Sequence, residues 1–140
     1  MESKTKVLII DDQEDSCTLV HDILEKKGFE AECRLSAEAG IEYLDQNKDS
    51  QPDVILMDIQ LGKGKMNGIE ALKRIKKQYS NIEVIMMTGW GTIIVAVECL
   101  YNGAFDYLTK PVDIERFIDK VNEAKKKKDK KIMPQTQETL

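Results

Sequence analysis

Five short segments, three of them apolar runs, each followed by a stretch whose apolar residues recur at helical spacing, constrain what this chain can fold into. The segments are Lys6–Ile10, Glu30–Leu35, Asp53–Ile59, Glu83–Met87 and Ala104–Thr109. Each is too short for a buried helix and reads as a strand. Over Glu14–Lys27, helical spacing is expected to turn Leu19, Val20, Ile23 and Leu24 inward, with Gly28 as the stop. Ala37–Asn47 places Ala37, Gly40, Ile41 and Leu44 on one face, and Asn67–Tyr79 does the same with Ile69, Leu72, Ile75 and Tyr79. Thr92–Tyr101 is rich in Ile and Val and fits helix or strand. Its length and the Asn102-Gly103 stop favour helix. Asp113–Lys131 begins as a helix with Ile114, Phe117, Ile118 and Val121 inward. Strand and helix alternating along the chain require a parallel sheet covered on both faces, an α/β architecture.

A chain of 140 residues suits one domain with a sizeable core. Its net charge of -4 provides no basic field, so direct nucleic-acid binding is not expected. The longest early apolar run, Val7–Ile10, is too short for a signal-peptide core or a membrane span, so a cytoplasmic location is expected. Cys17, Cys33 and Cys99 are far apart, lack a Cys-x-x-Cys pair, and read as buried reduced thiols. His21, the single histidine, falls near the polar side of the first helix, so catalysis by a Ser-His-Asp or Cys-His set has little support. From Lys125 the chain runs KKKKDKK and then IMPQTQETL without apolar period. Residues 125–140 are expected to be a basic helix end and a flexible linker or tail.

Ligands of open parallel sheets collect beyond the carboxyl ends of the strands. Here the first strand ends in Asp11-Asp12, the third at Asp58, the fourth at Thr88 and the fifth at Lys110. Taken singly, each has an ordinary structural reading: helix cap, turn, or loop residue. Together they fill one crevice with three carboxylates, a hydroxyl and an ammonium. Three carboxylates repel one another unless a cation joins them, and oxygen-only donors in small number suit Mg²⁺, with Mn²⁺ as the alternative. Lys110 adds a positive charge for an incoming phosphoryl group. Asp58 is the candidate nucleophile, forming an acyl phosphate, and Thr88 the candidate donor to a phosphoryl oxygen.

The segments VLIIDDQE, DVILMDIQL, NGIEALKRI, VIMMTG and GAFDYLTKPVD resemble the receiver domain of bacterial two-component response regulators. GAFDYLTKP is closest to receivers of the nitrogen-regulation (NtrC) type. The resemblance assigns residues 1–124 to a receiver domain. It implies a flavodoxin-like (βα)5 three-layer sandwich with a five-stranded parallel sheet of order 2-1-3-4-5. It implies that a histidine kinase or phosphotransfer protein donates a phosphoryl group to Asp58. Asp11, Asp12, Asp58 and the backbone carbonyl of Gln60 would hold Mg²⁺, while Thr88 and Lys110 would contact the phosphoryl group. Tyr107 matches the switch aromatic that follows Thr88, and the Lys110–Pro111 bond would be cis. NtrC-type receivers often precede an ATPase and a DNA-binding domain, so control of transcription through a further C-terminal domain is expected. A stand-alone phosphorelay receiver is the alternative.

Two features depart from the family pattern. The stretch DIQLGKGKMNG lacks the usual proline and is longer than usual, which suggests that Lys63 or Lys65 swings over the phosphoryl group. Trp90, two residues past Thr88, could shield an acyl phosphate from water. The fourth helix carries more apolar residues than one core face needs. If Ile93, Val97 and Leu100 point inward, Ile94, Val95 and Tyr101 partly face out. The surface of the fourth helix, fifth strand and fifth helix is therefore expected to form a phosphorylation-sensitive interface, for a dimer in particular. A Mg²⁺-dependent phosphatase with an aspartyl nucleophile is the less favoured reading. Gln60 stands where such enzymes place a second Asp, and Gln13 stands two residues beyond Asp11, so a general acid is missing. A binding module without chemistry would leave Asp11, Asp12, Asp58 and Lys110 unexplained.

Overall fold

A computed structural model describes residues 4–62, 64–89 and 93–132, with Ile132 described in its backbone alone. Among the described residues, five strands and five helices alternate. They are β1 (Lys6–Ile10), α1 (Glu14–Lys26), β2 (Glu30–Arg34), α2 (Ala37–Gln46) and β3 (Val54–Asp58), followed by α3 (Gly68–Gln78), β4 (Glu83–Thr88), α4 (Ile93–Tyr101), β5 (Asp106–Thr109) and α5 (Ile114–Ile132). The strands pair in parallel in the order β2-β1-β3-β4-β5. This is the flavodoxin-like arrangement.

The period-2 alternation of the strands sorts the core into two layers. Leu8 and Ile10, Ile55 and Met57, and Val84 and Met86 face α2, α3 and α4. Val7 and Ile9, Val54 and Leu56, and Ile85 and Met87 face α1 and α5. Strands β3 and β4 are buried at every position, as expected where helices cover both faces of a parallel sheet. Helix starts follow local chemistry. The Ser36 side chain accepts from the Ala39 amide at the start of α2, and Asn67 and Glu70 form a reciprocal capping box at the start of α3. Gly28, at φ +92, ends α1 in a backbone conformation that other residues rarely adopt.

Three helical faces differ from the periodicity. In α1, Cys17 and Leu24 are buried while Leu19 is 62% exposed, because the small thiol lets the helix lie closer to the sheet on the Cys17 side. In α4, Ala96 and Cys99 are buried, and Val95 packs partly against the core. Ile93, Val97 and Leu100 therefore face solvent with Ile94 and Tyr101, opposite to the expected inward set. Small side chains again form the contact, letting the helix approach the sheet. In α5, Phe117, Val121 and Ala124 are buried and Ile114 is exposed.

The basic stretch after Lys125 is more than a solvated helix end. Helix α5 runs unbroken to Ile132. Lys128 Nζ meets Asp53 Oδ1 at 2.6 Å, and Lys131 Nζ meets Glu83 Oε2 at 2.8 Å. Glu83 is fully buried at the start of β4, and a buried carboxylate requires nearby positive charge. Lys76 and Lys127 supply more of it, each at 3.8 Å. Residues 133–140 lie outside the described residues.

Candidate functional site

The sheet order reverses between β1 and β3, and their carboxyl ends open side by side. Asp11 follows β1, and its amide donates to the Arg34 carbonyl at 3.1 Å. Asp58 is the last residue of β3, and Thr88 the last of β4. The Ile59 amide donates to the Met87 carbonyl at 2.9 Å, and the Lys110 amide to the Thr88 carbonyl at 2.8 Å. These bonds tie the ends of β3, β4 and β5 into one rim. The Lys110–Pro111 peptide bond is cis.

Asp11, Asp12, Asp58 and Thr88 are all buried. Each carboxylate is stabilised by a backbone amide: Gln13 to Asp11 Oδ1 at 3.0 Å, Gln60 to Asp58 Oδ1 at 2.8 Å, and Gly62 to Asp12 Oδ2 at 2.8 Å. Lys110 Nζ bridges Asp58 Oδ2 at 2.7 Å and Asp11 Oδ2 at 3.2 Å. Burial alone would lower the Lys110 pKa, but the hydrogen bond it donates to Asp58 and the charges of Asp58 and Asp11 outweigh it and raise the pKa above its ordinary value. The three acids thus do not crowd a single point. Lys110 neutralises two of them, while Asp12 turns to the Gly62 amide. Among the described residues, no three acidic, histidine or cysteine side chains converge tightly enough to hold a metal ion by themselves.

The remaining expected residues are dispersed around this centre. Tyr107 is half-buried on β5 and packs against the core layer under α2, α3 and α4. Gln60 is exposed, and its amide is the partner of Asp58. Lys65 is exposed, with its amide donated to Glu38 Oε2 at 2.8 Å. Lys63 and Trp90 lie outside the described residues.

Three contributors were not anticipated. Gly68 donates its amide to the Ile59 carbonyl at 3.1 Å, and a Cβ there would collide with the Asp58 carbonyl oxygen. Only glycine lets α3 begin so close to the acceptor strand, a need hidden in the Asn-Gly pair of NGIEALKRI. Leu19 and Ile114, both expected inside, border an apolar groove beside Asp11 and Lys110. Their exposure follows from the groove and had no separate signal in the sequence.

The model of the response regulator receiver domain matches residues 7–122. The chain belongs to the response regulator receiver family. The receiver is 36% identical over 115 residues to the regulatory protein AtoC of Escherichia coli, covering 82% of this chain and 24% of that protein. Regulators of the NtrC type are thus among its relatives. It is 35% identical to the sporulation initiation phosphotransferase F of Bacillus subtilis, over 83% of this chain and 90% of the relative. A receiver domain structure from Clostridium thermocellum superposes with a TM-score of 0.84 at 30% identity, covering 91% of this chain and 99% of that one. The chain therefore spans about a quarter of the regulator and nearly all of the phosphotransferase. Receivers are signalling switches phosphorylated on an aspartate, and they interact with histidine kinases or phosphotransfer proteins. No helix among the described residues is long and apolar enough to cross a membrane.

Proposed function

We propose that Asp58 is the phosphoacceptor of this receiver and that the chain catalyses its own phosphorylation and dephosphorylation. The observation that supports this most is the Lys110 ammonium bonded to Asp58 and Asp11 at once. A group held there can transfer to a phosphoryl oxygen on Asp58 without leaving its second carboxylate. Asp58 attacks phosphorus, the P–N bond to the donor imidazole breaks, and the imidazole leaves with a proton. Lys110 and the Thr88 hydroxyl then bind the phosphoryl oxygens.

The donor set suits a hard cation. It is all oxygen, it has few carboxylates, and Mg²⁺ favours sites where water completes the shell. Asp11, Asp12, Asp58 and the Gln60 carbonyl would hold Mg²⁺, or Mn²⁺ in its place, with Asp12 exchanging its bond to the Gly62 amide. The ion would supply neutralisation of the charge on the incoming group.

The groove bounded by Leu19, Val20, Ile23 and Ile114 ends at Asp11 and Lys110. It offers an apolar seat for the kinase or phosphotransfer protein whose histidine delivers the phosphoryl group. On the other side, Ile93, Ile94, Val97, Leu100 and Tyr101 leave α4 with an apolar exterior. We assign the α4–β5–α5 surface to output, with Thr88 and Tyr107 as the moving parts and a homodimer as the phosphorylated form. No direct contact of this domain with nucleic acid is part of the reading. In the favoured version the receiver acts in the cytoplasm and controls transcription through a further C-terminal domain, as suggested by similarity to AtoC. Similarity to the sporulation phosphotransferase suggests the second version, a stand-alone relay receiver with protein partners.

The test is intact-mass spectrometry after incubation with acetyl phosphate and Mg²⁺. Wild type gains the mass of one phosphoryl group, and Asp58→Ala gains none. An unmodified wild type, or an Asp58→Ala chain modified to the same extent, refutes the assignment.

A further inference from the structure

We propose that Cys17 and Cys33 form a redox-active dithiol, at which a hydroperoxide converts Cys33 to a sulfenic acid and Cys17 then closes an intramolecular disulfide between α1 and β2. The site is separate from the phosphoryl chemistry and does not rest on it.

The sheet register brings the pair together. Ile9 of β1 pairs with Cys33 of β2, and Cys17 Sγ lies over β1, 3.9 Å from the Ile9 carbonyl. Cys33 Sγ donates to the Cys17 carbonyl at 3.1 Å, and the two thiols interact directly. Both are unbridged. With Cys33 Sγ against the Cys17 backbone, both side chains share one α1–β2 seam, within which a disulfide requires the two sulfurs to turn toward each other.

The two thiols differ in access and in charge. Cys17 is buried, whereas Cys33 is half-buried and lines a surface cleft with Thr18, His21, Ala31 and Glu32. An oxidant in solution therefore meets Cys33 first. The hydrogen bond with Cys17 lowers the Cys33 pKa against the opposing effect of burial, and the nearby His21 adds to it. The bond to Asp22 raises the His21 pKa, keeping more of the imidazole charged beside the thiol. The same thiol–thiol bond, reinforced by burial, pushes Cys17 far up. Cys33 thus has the character of a peroxide-reactive thiol and Cys17 that of a sheltered resolving thiol. Cys99 is also buried, and burial raises its pKa, but it lies in the opposite core layer from Cys17 and Cys33.

In the first step, the Cys33 thiolate attacks an oxygen of the hydroperoxide, the O–O bond breaks, and the alkoxide leaves as alcohol with a proton from the His21 imidazolium. In the second, the Cys17 sulfur attacks the Cys33 sulfur and the S–O bond breaks. Hydroxide leaves as water with the Cys17 proton. Two thiols are oxidised and one hydroperoxide is reduced. The product would lie directly under the acidic turn, because the residue after Cys33, Arg34, accepts the Asp11 amide hydrogen bond.

The test treats the full chain with hydrogen peroxide, removes the oxidant, alkylates the denatured protein with N-ethylmaleimide and maps the peptides by mass spectrometry. A Cys17–Cys33 cross-link that dithiothreitol reverses is expected, with Cys99 alkylated. In the native chain, iodoacetamide should modify Cys33 at least about tenfold faster than Cys99. In Cys17→Ala, the Cys33 sulfenic acid should persist and be trapped by dimedone. If that variant loses its fold by circular dichroism, Cys33→Ser serves instead, and its Cys17 should resist peroxide. The proposal is overturned if Cys33 reacts no faster than Cys99, if Cys17 of Cys33→Ser oxidises as fast as Cys33 does in wild type, or if disulfides form only between chains.

Discussion

Asp12 and Gly62 stand fifty residues apart in the chain and are joined by a hydrogen bond, from the Gly62 amide to Asp12 Oδ2 at 2.8 Å. The bond ties the turn after β1 to the loop after β3. At the far end of that loop, Glu38 from α2 accepts the amides of Lys65 and Met66 at 2.8 and 2.9 Å. Two carboxylates therefore hold the loop that lacks the family's usual proline. Asp12→Ala should speed amide hydrogen exchange at Gly62 by roughly tenfold or more, the effect of losing one charge-assisted bond. Exchange in β3 and β4 should be unchanged, and mass-resolved exchange checks both.

Lys110 balances two buried carboxylates, so removing it should cost more than one contact. Lys110→Met is expected to lower stability by about 1–3 kcal/mol in urea denaturation, because Asp11 and Asp58 lose the cation they share and keep only their backbone amide partners. Adding Asp58→Asn should recover part of that loss, giving a non-additive double-mutant cycle. Additive losses would show that the ammonium contributes little to the acidic pair.

The exposed face of α4 predicts a selective defect. Val97→Asp changes a residue that is 58% exposed and should alter the stability of the unmodified chain by less than about 0.5 kcal/mol. It should abolish the mass increase that analytical ultracentrifugation is expected to detect when a phosphoryl mimic such as beryllofluoride is added to wild type. A dimer that persists in Val97→Asp would move the interface elsewhere.

Lys76 gives the chain a pH signature. Burial lowers its pKa to about 8, against the attraction of Glu83 and with reinforcement from Lys131 and Lys127. Between that value and the ordinary lysine pKa, the unfolded chain binds a proton that the folded chain has released. Unfolding free energy therefore rises with pH across this window. Relative to Lys76→Met, the wild-type urea midpoint should climb from pH 7 to pH 10. Parallel profiles for the two proteins would exclude the effect.

Strand positions and the residues of the rim were legible because they follow from strong local signals, whereas the sheet order β2-β1-β3-β4-β5 came from the family resemblance alone. Four strand ends place polar or charged side chains on one rim at once, and Asp11, Asp58, Thr88 and Lys110 have few structural reasons to share those positions. Helical faces were less legible. In α1 and α4 the contact with the sheet is made by Cys17, Ala96 and Cys99, small residues that hydropathy weighs lightly, while larger Leu19, Ile93 and Val97 stay outside. Leu19 and Ile114 would raise the apolar count of any core-facing helix, yet they edge the groove next to the acids. Long-range bonds had no local trace. Nothing near Asp12 announces Gly62, and nothing in the lysine run announces that Asp53 and Glu83 await it.

The lysines that fasten α5 to those two acids also limit how that helix can respond. Its far end is pinned at the floor of the sheet, while its near end begins just beyond Lys110 and Pro111. A rearrangement at the rim has little freedom to slide the helix lengthwise. The remaining motion is a pivot about the floor, which magnifies a small shift at Lys110 into a sideways sweep of the helix's first turns.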